Sequence, residues 1–426
     1  MKRVRLAAVL LALMPGMPAG AQLLPGAPQL PLPGVSLPPL SLDRPVAEVE
    51  RLTRRTAARV LDQTRLQRIA AFLHDNRAAV DRDDRGAPAV RGEIVLTAPE
   101  PGDLDALEQR GFTVIEDETI AGLDLRAVRL ATPPDLPLAR ALKRARSIAG
   151  DRVSADNIHF RSGEPVAAPS PPARAIAPSA AASGDPVAIG LIDGGVAASP
   201  LIPDRVTQRG FAKGAPAPDP HATAVASLLI GEGAVRGADR GAHLFAADVY
   251  GRDPAGGSAL AIATALGWMV ENRVRVVTIS LVGPENGLLS RAVRLAQGKG
   301  LTIVAAVGND GPAAPPAYPA SYPGVVAVTG VDRRDKALVE AGRALHLDYA
   351  APGADMLAAA PGKGTTRVRG TSFAAPLAAG RLAALMAADG PDARAALDRE
   401  AVDLGRKGPD PIYGRGLVCG ACATRP

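Results

Sequence analysis

The segment Val187-Ala188-Ile189-Gly190-Leu191-Ile192 is a continuous apolar run that ends at Asp193-Gly194-Gly195. A run without polar alternation is typical of a strand buried on both faces of a parallel sheet. Similar runs follow at 244–249, 274–281, 301–307 and 325–331, with helix-length stretches between them at 221–229, 258–271 and 288–298. Strands that alternate with helices predict an α/β domain with a doubly wound, mostly parallel sheet and helices on both faces.

Four polar residues are expected in the crevice of that domain, which lies beyond the carboxyl ends of the strands. Asp193 and Asn309 each end a predicted strand, and His221 opens a small-residue helix that leaves its imidazole room to project. Ser372 lies in Gly370-Thr371-Ser372-Phe373-Ala374-Ala375-Pro376, which predicts a tight turn opening a buried helix. Serine, histidine, carboxylate and amide are the groups that amide hydrolysis through a serine requires.

Four separated blocks of this sequence resemble those of the subtilisin-like serine peptidases, the subtilases: 189–195, 221–226, 305–311 and 370–376. The order Asp, His, Ser is that of the family. The resemblance implies that Asp193 orients His221, that His221 acts as general base and then general acid, and that Ser372 is the nucleophile. It also implies that the Asn309 side-chain amide and the Ser372 backbone N–H bind the oxyanion.

The same resemblance implies where a substrate binds. Ser280, Leu281, Val282 and Gly283 resemble the family strand that pairs with the substrate main chain. Ala306, Val307, Gly308 and Ala317 are the other substrate-binding candidates, with Ala317 in the wall of the pocket before the cleaved bond. No acidic residue stands in 280–283 or 317–320, which favours apolar over basic side chains in that pocket.

Three positions depart from the family pattern. Gly194 stands where a serine or threonine is usual, and Ala222 and Val282 each stand where a glycine is usual. None of them removes a catalytic group. The departures bear on rate and specificity rather than on the type of reaction.

Residues 1–21 carry the pattern of a secretory signal peptide: a basic start, a short apolar run and Ala19-Gly20-Ala21 as a cleavage site. They predict export to the periplasm or outside the cell, with no permanent membrane anchor because the run is too short. A retained hydrophobic N-terminal helix is the alternative. Residues 22–45 are rich in leucine and proline and are interpreted as a Pro-rich linker.

Residues 46–160 are predicted to form a charged amphipathic helix followed by a small α+β module of βαββα order, ferredoxin-like in pattern. Its place in the chain is that of a subtilase propeptide, which implies an intramolecular inhibitor and folding aid. The Ala/Pro/Ser-rich segment 161–185 is interpreted as an exposed linker with a processing site, expected between about Asp151 and Asp185. The catalytic domain is placed at 186–418.

Composition excludes several other classes of protein. The net charge is +6, yet only 3% of residues are aromatic and no arginine cluster is interleaved with rings, which argues against nucleic-acid binding.

Cys419 and Cys422, in the tail 419–426, have no second pair for a zinc site, so a disulfide or two free thiols remain open. No cofactor is required; structural calcium is possible, but no acidic loop of the needed density assigns a site.

The favoured hypothesis is therefore an exported serine endopeptidase that hydrolyses polypeptides through an acyl-enzyme, made as a self-processed zymogen and expected to be a monomer. A catalytically weak or inactive subtilase-like protein that binds peptides is the alternative. An α/β-hydrolase esterase is disfavoured because Gly-x-Ser-x-Gly is missing and the order of the triad differs.

Overall fold

The computed structural model describes residues 46–162, 164–166, 187–362 and 364–424. The predicted signal peptide, the Pro-rich linker 22–45 and most of the linker 161–185 lie outside the described residues. From Arg51 onward the described residues belong to one compact unit.

The C-terminal domain is built around a seven-stranded sheet whose strands are all parallel, in the order β10-β12-β8-β13-β15-β16-β17. This confirms the predicted doubly wound α/β fold. The elements of this domain are β8 (Ala188–Asp193), β9 (Gly195–Val196), β10 (Val206–Gly210), β11 (Pro218–Asp219), α4 (Pro220–Ile230), β12 (His243–Asp248), α5 (Ala259–Glu271), β13 (Val276–Ile279), β14 (Leu281–Val282), α6 (Gly287–Gly298), β15 (Thr302–Ala306), β16 (Val326–Val331), β17 (Tyr349–Pro352), β18 (Met356–Ala359), β19 (Thr365–Arg369), α7 (Thr371–Asp389) and α8 (Ala393–Glu400).

The two faces of the sheet pack into two hydrophobic cores. Ile189 and Leu191 of β8 face α4 and α7, whereas Ile192 faces α5 and α6. Because β8 is covered on both sides, its side chains alternate between two apolar cores, and this produces the unbroken apolar run in the sequence. Helix α7 is long and apolar enough to cross a bilayer, but 72% of its apolar window is buried within the protein, so burial in the core accounts for its composition.

The N-terminal region forms a helix and a separate antiparallel sheet. Strands β2 to β5 are in the order β5-β2-β4-β3, the arrangement of a ferredoxin-like βαββαβ module, with β1 added on β2. The elements are α1 (Val46–Asp75), β1 (Val80–Arg82), β2 (Pro88–Thr97), α2 (Asp103–Glu108), β3 (Thr113–Ile120), β4 (Leu125–Ala131), α3 (Leu138–Ala149) and β5 (Val153–Asn157).

Strand β5 is missing from the sequence-based βαββα order, and its contacts explain why. Ser154, Asp156 and Asn157 are polar yet buried. The Asp156 carboxylate accepts a hydrogen bond from the Leu260 N–H at the start of α5 (2.8 Å), and the Ser154 hydroxyl accepts one from the Leu288 N–H at the start of α6 (3.1 Å). The strand therefore satisfies the free N–H groups of two helices in the other domain, and its polar residues hide the strand from a pattern search.

The sheet of the N-terminal module also packs its apolar face against the catalytic domain. Val95, Ile120 and Leu125 belong to the same core as helices α5 and α6. Gly122 and Gly267 face each other so closely that a β-carbon on Gly122 would lie 2.2 Å from the Gly267 carbonyl oxygen. The two domains thus meet through apolar packing, helix capping and one close backbone approach.

One sequence-based interpretation of a connecting segment is wrong in part. The start of the 161–185 segment is not an exposed linker: β6 (Phe160–Arg161) pairs with β14, and β7 (Glu164–Val166) pairs with β19, both antiparallel. The C-terminal residues pack onto the domain. Cys419 and Cys422 form a disulfide and pack against the α4–α7 core, and the Thr424 carbonyl accepts a hydrogen bond from the Leu357 N–H (2.9 Å).

Candidate active site

Asp193 and His221 form a buried pair at the carboxyl end of β8. The His221 Nδ1 lies 2.9 Å from the Asp193 Oδ2, and Asp193 Oδ1 accepts a hydrogen bond from the Gly194 N–H (2.7 Å). Helix α4 starts at Pro220, and Asp219 caps it by accepting from the Ala222 N–H (3.0 Å), which holds His221 in the first turn. Burial acts to lower the pKa of His221, but the charge and hydrogen bond of Asp193, together with the charge of Asp219, outweigh it and raise the pKa above its ordinary 6.5.

Ser372 lies in the first turn of α7. Gly370 precedes that helix at a φ of 141°, a conformation that other residues rarely adopt. The Ser280 hydroxyl donates to the Ser372 carbonyl (3.0 Å) and fixes the turn from the side of β13. Ser372 Oγ and His221 Nε2 are both buried, and within the described part of the chain neither makes a hydrogen bond to the other or to any other group.

Asn309 supplies a side-chain amide beside Ser372. Its Oδ1 accepts from the Thr371 N–H (3.0 Å), and the Thr371 hydroxyl donates to the Gly308 carbonyl (3.1 Å). These bonds orient the amide so that Nδ2 donates to the Ser162 carbonyl oxygen (2.5 Å), which also accepts from the Ser372 N–H (3.2 Å). Two donors that converge on one carbonyl are the geometry of an oxyanion site.

The residues around Ser162 cross this site as an extended chain. Arg161 pairs with Leu281 and Phe160 with Val282, and the Ser162 N–H donates to the Ser280 carbonyl (3.1 Å). On the opposite side the His159 N–H donates to the Gly257 carbonyl (2.8 Å). Beyond residue 163, β7 continues along β19. Residues 159–162 are thus bound in the site as an extended segment, and the Ser162 carbonyl accepts hydrogen bonds from the Asn309 and Ser372 donors.

The predicted pocket residues separate into two groups. Val282, Gly283, Val307, Gly308 and Ala317 line a cavity of about 530 Å³ that helix α1 also lines, and Gly283 pairs with Tyr318. Ala306 does not line it, because the side chain packs into the α4–α7 core.

This cavity is also lined by an acidic residue that lies outside the segments 280–283 and 317–320. Asp310 faces it and forms an ion pair with Arg68 of α1 (2.5 Å). Asp310 was missed because it follows Asn309 in another loop.

Asp219, Tyr250 and the side chain of Arg161 also surround the catalytic pair and were not predicted from the sequence. The Arg161 guanidinium contacts both Asp219 and the ring of Tyr250. The potential ligand atoms of Asp193, Asp219 and His221 lie within 4.8 Å of one another, a donor set that could hold a cation. In this structure the positive charge beside the two carboxylates is the Arg161 guanidinium. The signal that could have revealed Asp219 is its place as helix N-cap two residues before His221.

A buried Asp–His pair, a serine at a helix N-terminus and two convergent donors at the edge of a doubly wound sheet define a serine hydrolase of the Asp-His-Ser type. The model of the subtilase family matches residues 184–416, more than half of the chain. The chain therefore belongs to the subtilase family and is a subtilisin-like serine peptidase.

Individual relatives agree with this family. Subtilisin BL of Lederbergia lenta is 32% identical over 255 residues, which cover 57% of this chain and 92% of that protein. M-protease of Shouchella clausii (strain KSM-K16) is also 32% identical over 57% of this chain, and the chain spans 65% of its length. Fervidolysin from Fervidobacterium pennivorans, described as a keratinolytic enzyme related to subtilisin, superposes with a TM-score of 0.63 over 78% of this chain and 60% of that one. At 18% identity it bears on the fold alone.

Proposed function

We propose that this protein is an exported serine endopeptidase, made as a precursor that cleaves itself after Ser162. The observation that carries the proposal is the Ser162 carbonyl, which accepts hydrogen bonds from both the Asn309 amide and the Ser372 N–H. A peptide held in this way is bound as a substrate. Export rests on the signal-peptide pattern of residues 1–21.

The proposed reaction proceeds through an acyl-enzyme. Ser372 Oγ attacks the Ser162 carbonyl carbon while His221 Nε2 accepts the hydroxyl proton, and the Asp193 carboxylate stabilises the resulting imidazolium. The oxyanion is bound by Asn309 Nδ2 and the Ser372 N–H. His221 then protonates the amine of Gly163 as the bond breaks. A water activated by His221 hydrolyses the ester and frees the Ser162 carboxylate.

The N-terminal module is proposed to inhibit the enzyme after this cleavage. Strand β6 pairs with β14 and so occupies the edge along which a polypeptide substrate would pair. Helix α1 adds a cover, since Phe72 packs edge-on against Phe160 at 5.0 Å and Arg68 pairs with Asp310. Main-chain pairing depends little on the side chains of the bound peptide. Other polypeptides can therefore pair with β14 once the module dissociates. No partner beyond substrate and propeptide is required, and the enzyme is expected to act as a monomer.

Labelling with a serine-directed fluorophosphonate tests the proposed activity. Wild-type protein is expected to be labelled and to hydrolyse casein, and Ser372→Ala is expected to lose both properties. Ser290→Ala makes the same chemical change on α6 and serves as the matched control. Wild-type protein that binds peptides but is neither labelled nor active would instead identify a peptide-binding protein.

A further inference from the structure

Arg161 precedes Ser162 and is therefore the second residue on the amino side of the proposed cleavage site. Its contacts show which groups of the cleft would bind a substrate side chain at that position. Its Nη2 lies 2.7 Å from Asp219 Oδ2, and its Nε lies 3.8 Å from Asp193 Oδ1. The guanidinium carbon sits 3.9 Å from the centre of the Tyr250 ring. Charge pairing and stacking therefore act on the same side chain.

The groups that hold Arg161 belong to the catalytic domain. Asp219 is oriented there by its hydrogen bond from the Ala222 N–H (3.0 Å). The Tyr250 hydroxyl donates to the His159 carbonyl (2.8 Å), which is a main-chain contact with the bound segment itself. The Asp219 side chain is only 16% exposed. A carboxylate that is already oriented loses less conformational freedom on pairing than a mobile surface side chain does.

Gly194 makes room for this arrangement. A β-carbon at position 194 would lie 2.8 Å from both Cβ and Cγ of Asp219 and 3.2 Å from Nη2 of Arg161. The serine or threonine usual at this position would therefore displace the Asp219–Arg161 pair. The departure of Gly194 from the family pattern thus has a steric explanation in the space that the pair occupies.

The charge at this point of the cleft also favours a cation. Burial and the neighbouring Asp193 charge raise the pKa of Asp219, while Arg161 acts to lower it. With a neutral side chain in place of Arg161, the Asp193 and Asp219 carboxylates would lie close together with only His221 as a source of positive charge. A guanidinium relieves that repulsion while the Tyr250 ring covers its face.

We infer that the enzyme selects polypeptides with a basic residue, preferably arginine, one residue before the residue whose carbonyl is attacked, and that Asp219 is the residue that determines this selection. The inference rests on the proposed function. The substrate class is therefore polypeptides with an Arg-x sequence immediately before the cleaved bond, where x is the residue that Ser162 represents in the precursor.

The test compares peptides with the sequence of residues 157–166 that differ only at the position of Arg161: arginine, lysine, or citrulline, which has nearly the shape of arginine without its charge. For self-processed wild-type enzyme, kcat/KM is expected to be about tenfold or more higher with arginine than with citrulline, because a charged hydrogen bond is lost. Lysine is expected to lie between them, since it carries the charge without the planar fork.

The variant Asp219→Asn tests whether the Asp219 carboxylate causes the preference for arginine. Asparagine can still cap α4, so the substitution removes the charge and keeps the cap. The arginine-to-citrulline ratio is expected to fall to about 1–3 when the acceptor charge is removed. Gly194→Ala is expected to lower the same ratio by crowding the pair, and it provides a second route should Asp219→Asn fail to fold. The ratio is measured within each enzyme, so a general loss of activity does not affect it.

Equal cleavage of the arginine and citrulline peptides by wild type, or a ratio that stays at its wild-type value in both variants, would overturn the inference while leaving the proposed function intact. Wild type that cleaves neither the peptides nor casein and takes no fluorophosphonate label would instead refute the proposed function.

Discussion

The two sides of the active-site cleft differ in how their geometry is fixed. On the oxyanion side, the donors are held by backbone: Asn309 is oriented by the Thr371 N–H, and the Ser372 N–H belongs to the first turn of α7. On the acid–base side, the Asp193–His221 pair lies among ionisable groups, including Asp219 and Arg161. Substitutions on the first side should change the rate alone, whereas those on the second should change pH dependence and selectivity.

Among the substitutions that leave the triad intact, Asn309→Ala has the largest expected effect, and it tests the oxyanion side. Loss of one donor is expected to lower kcat by about 10²–10³ with little change in KM, because the donor acts on charge that develops in the transition state. Steady-state kinetics on one peptide give both constants. A raised KM with kcat preserved would show that Asn309 binds the ground state and that the two sides do not differ as described.

The pH profile tests the acid–base side. His221 must be neutral to accept a proton, and Asp193 raises its pKa above 6.5, so kcat/KM is expected to fall about tenfold per pH unit below a midpoint that lies above 6.5. Asp193→Asn removes the charge that opposes burial, and the midpoint in residual activity is expected to move down. A wild-type midpoint below 6.5 would contradict the assignment of the Asp193 charge as the dominant influence.

Val282→Ala is the smallest expected effect and sharpens the comparison at the pocket wall. The Val282 methyl groups lie 3.3 and 3.7 Å from where a β-carbon on Gly308 would be, and both residues line the cavity that helix α1 covers. Truncation is expected to raise kcat/KM by a few-fold for a peptide with leucine at the Ser162 position, relative to the serine peptide. An unchanged ratio would mean that Val282 does not limit this pocket.

Much of the fold was predictable because buried parallel strands leave a local signal. Strands β8, β12, β13, β15 and β16 are apolar runs for the reason that helices cover both of their faces. Strand β10, Val206–Gly210, alternates in burial at the edge of the sheet and gave no such signal. Strand β5 was missed because its polar side chains cap helices far away in sequence.

The site divides in the same way. Asp193, His221, Asn309 and Ser372 lie in local sequence blocks, and the structure brings them together. The roles of Asp219 and Gly194 depend on where Arg161 lies, which only the paths of β6 and β14 reveal. Contacts between such distant segments cannot be read from local composition, so the segment 161–185 was interpreted as an exposed linker.

The most direct test of the central proposal is the N-terminal residue of the processed protein. Intact-mass and N-terminal peptide analysis of the full-length chain should find a catalytic fragment that begins at Gly163 in wild type, and an uncleaved chain at this point in Ser372→Ala. Ser290→Ala should process as wild type does. A wild-type fragment that begins elsewhere, or the same Gly163 terminus in Ser372→Ala, would contradict self-cleavage after Ser162.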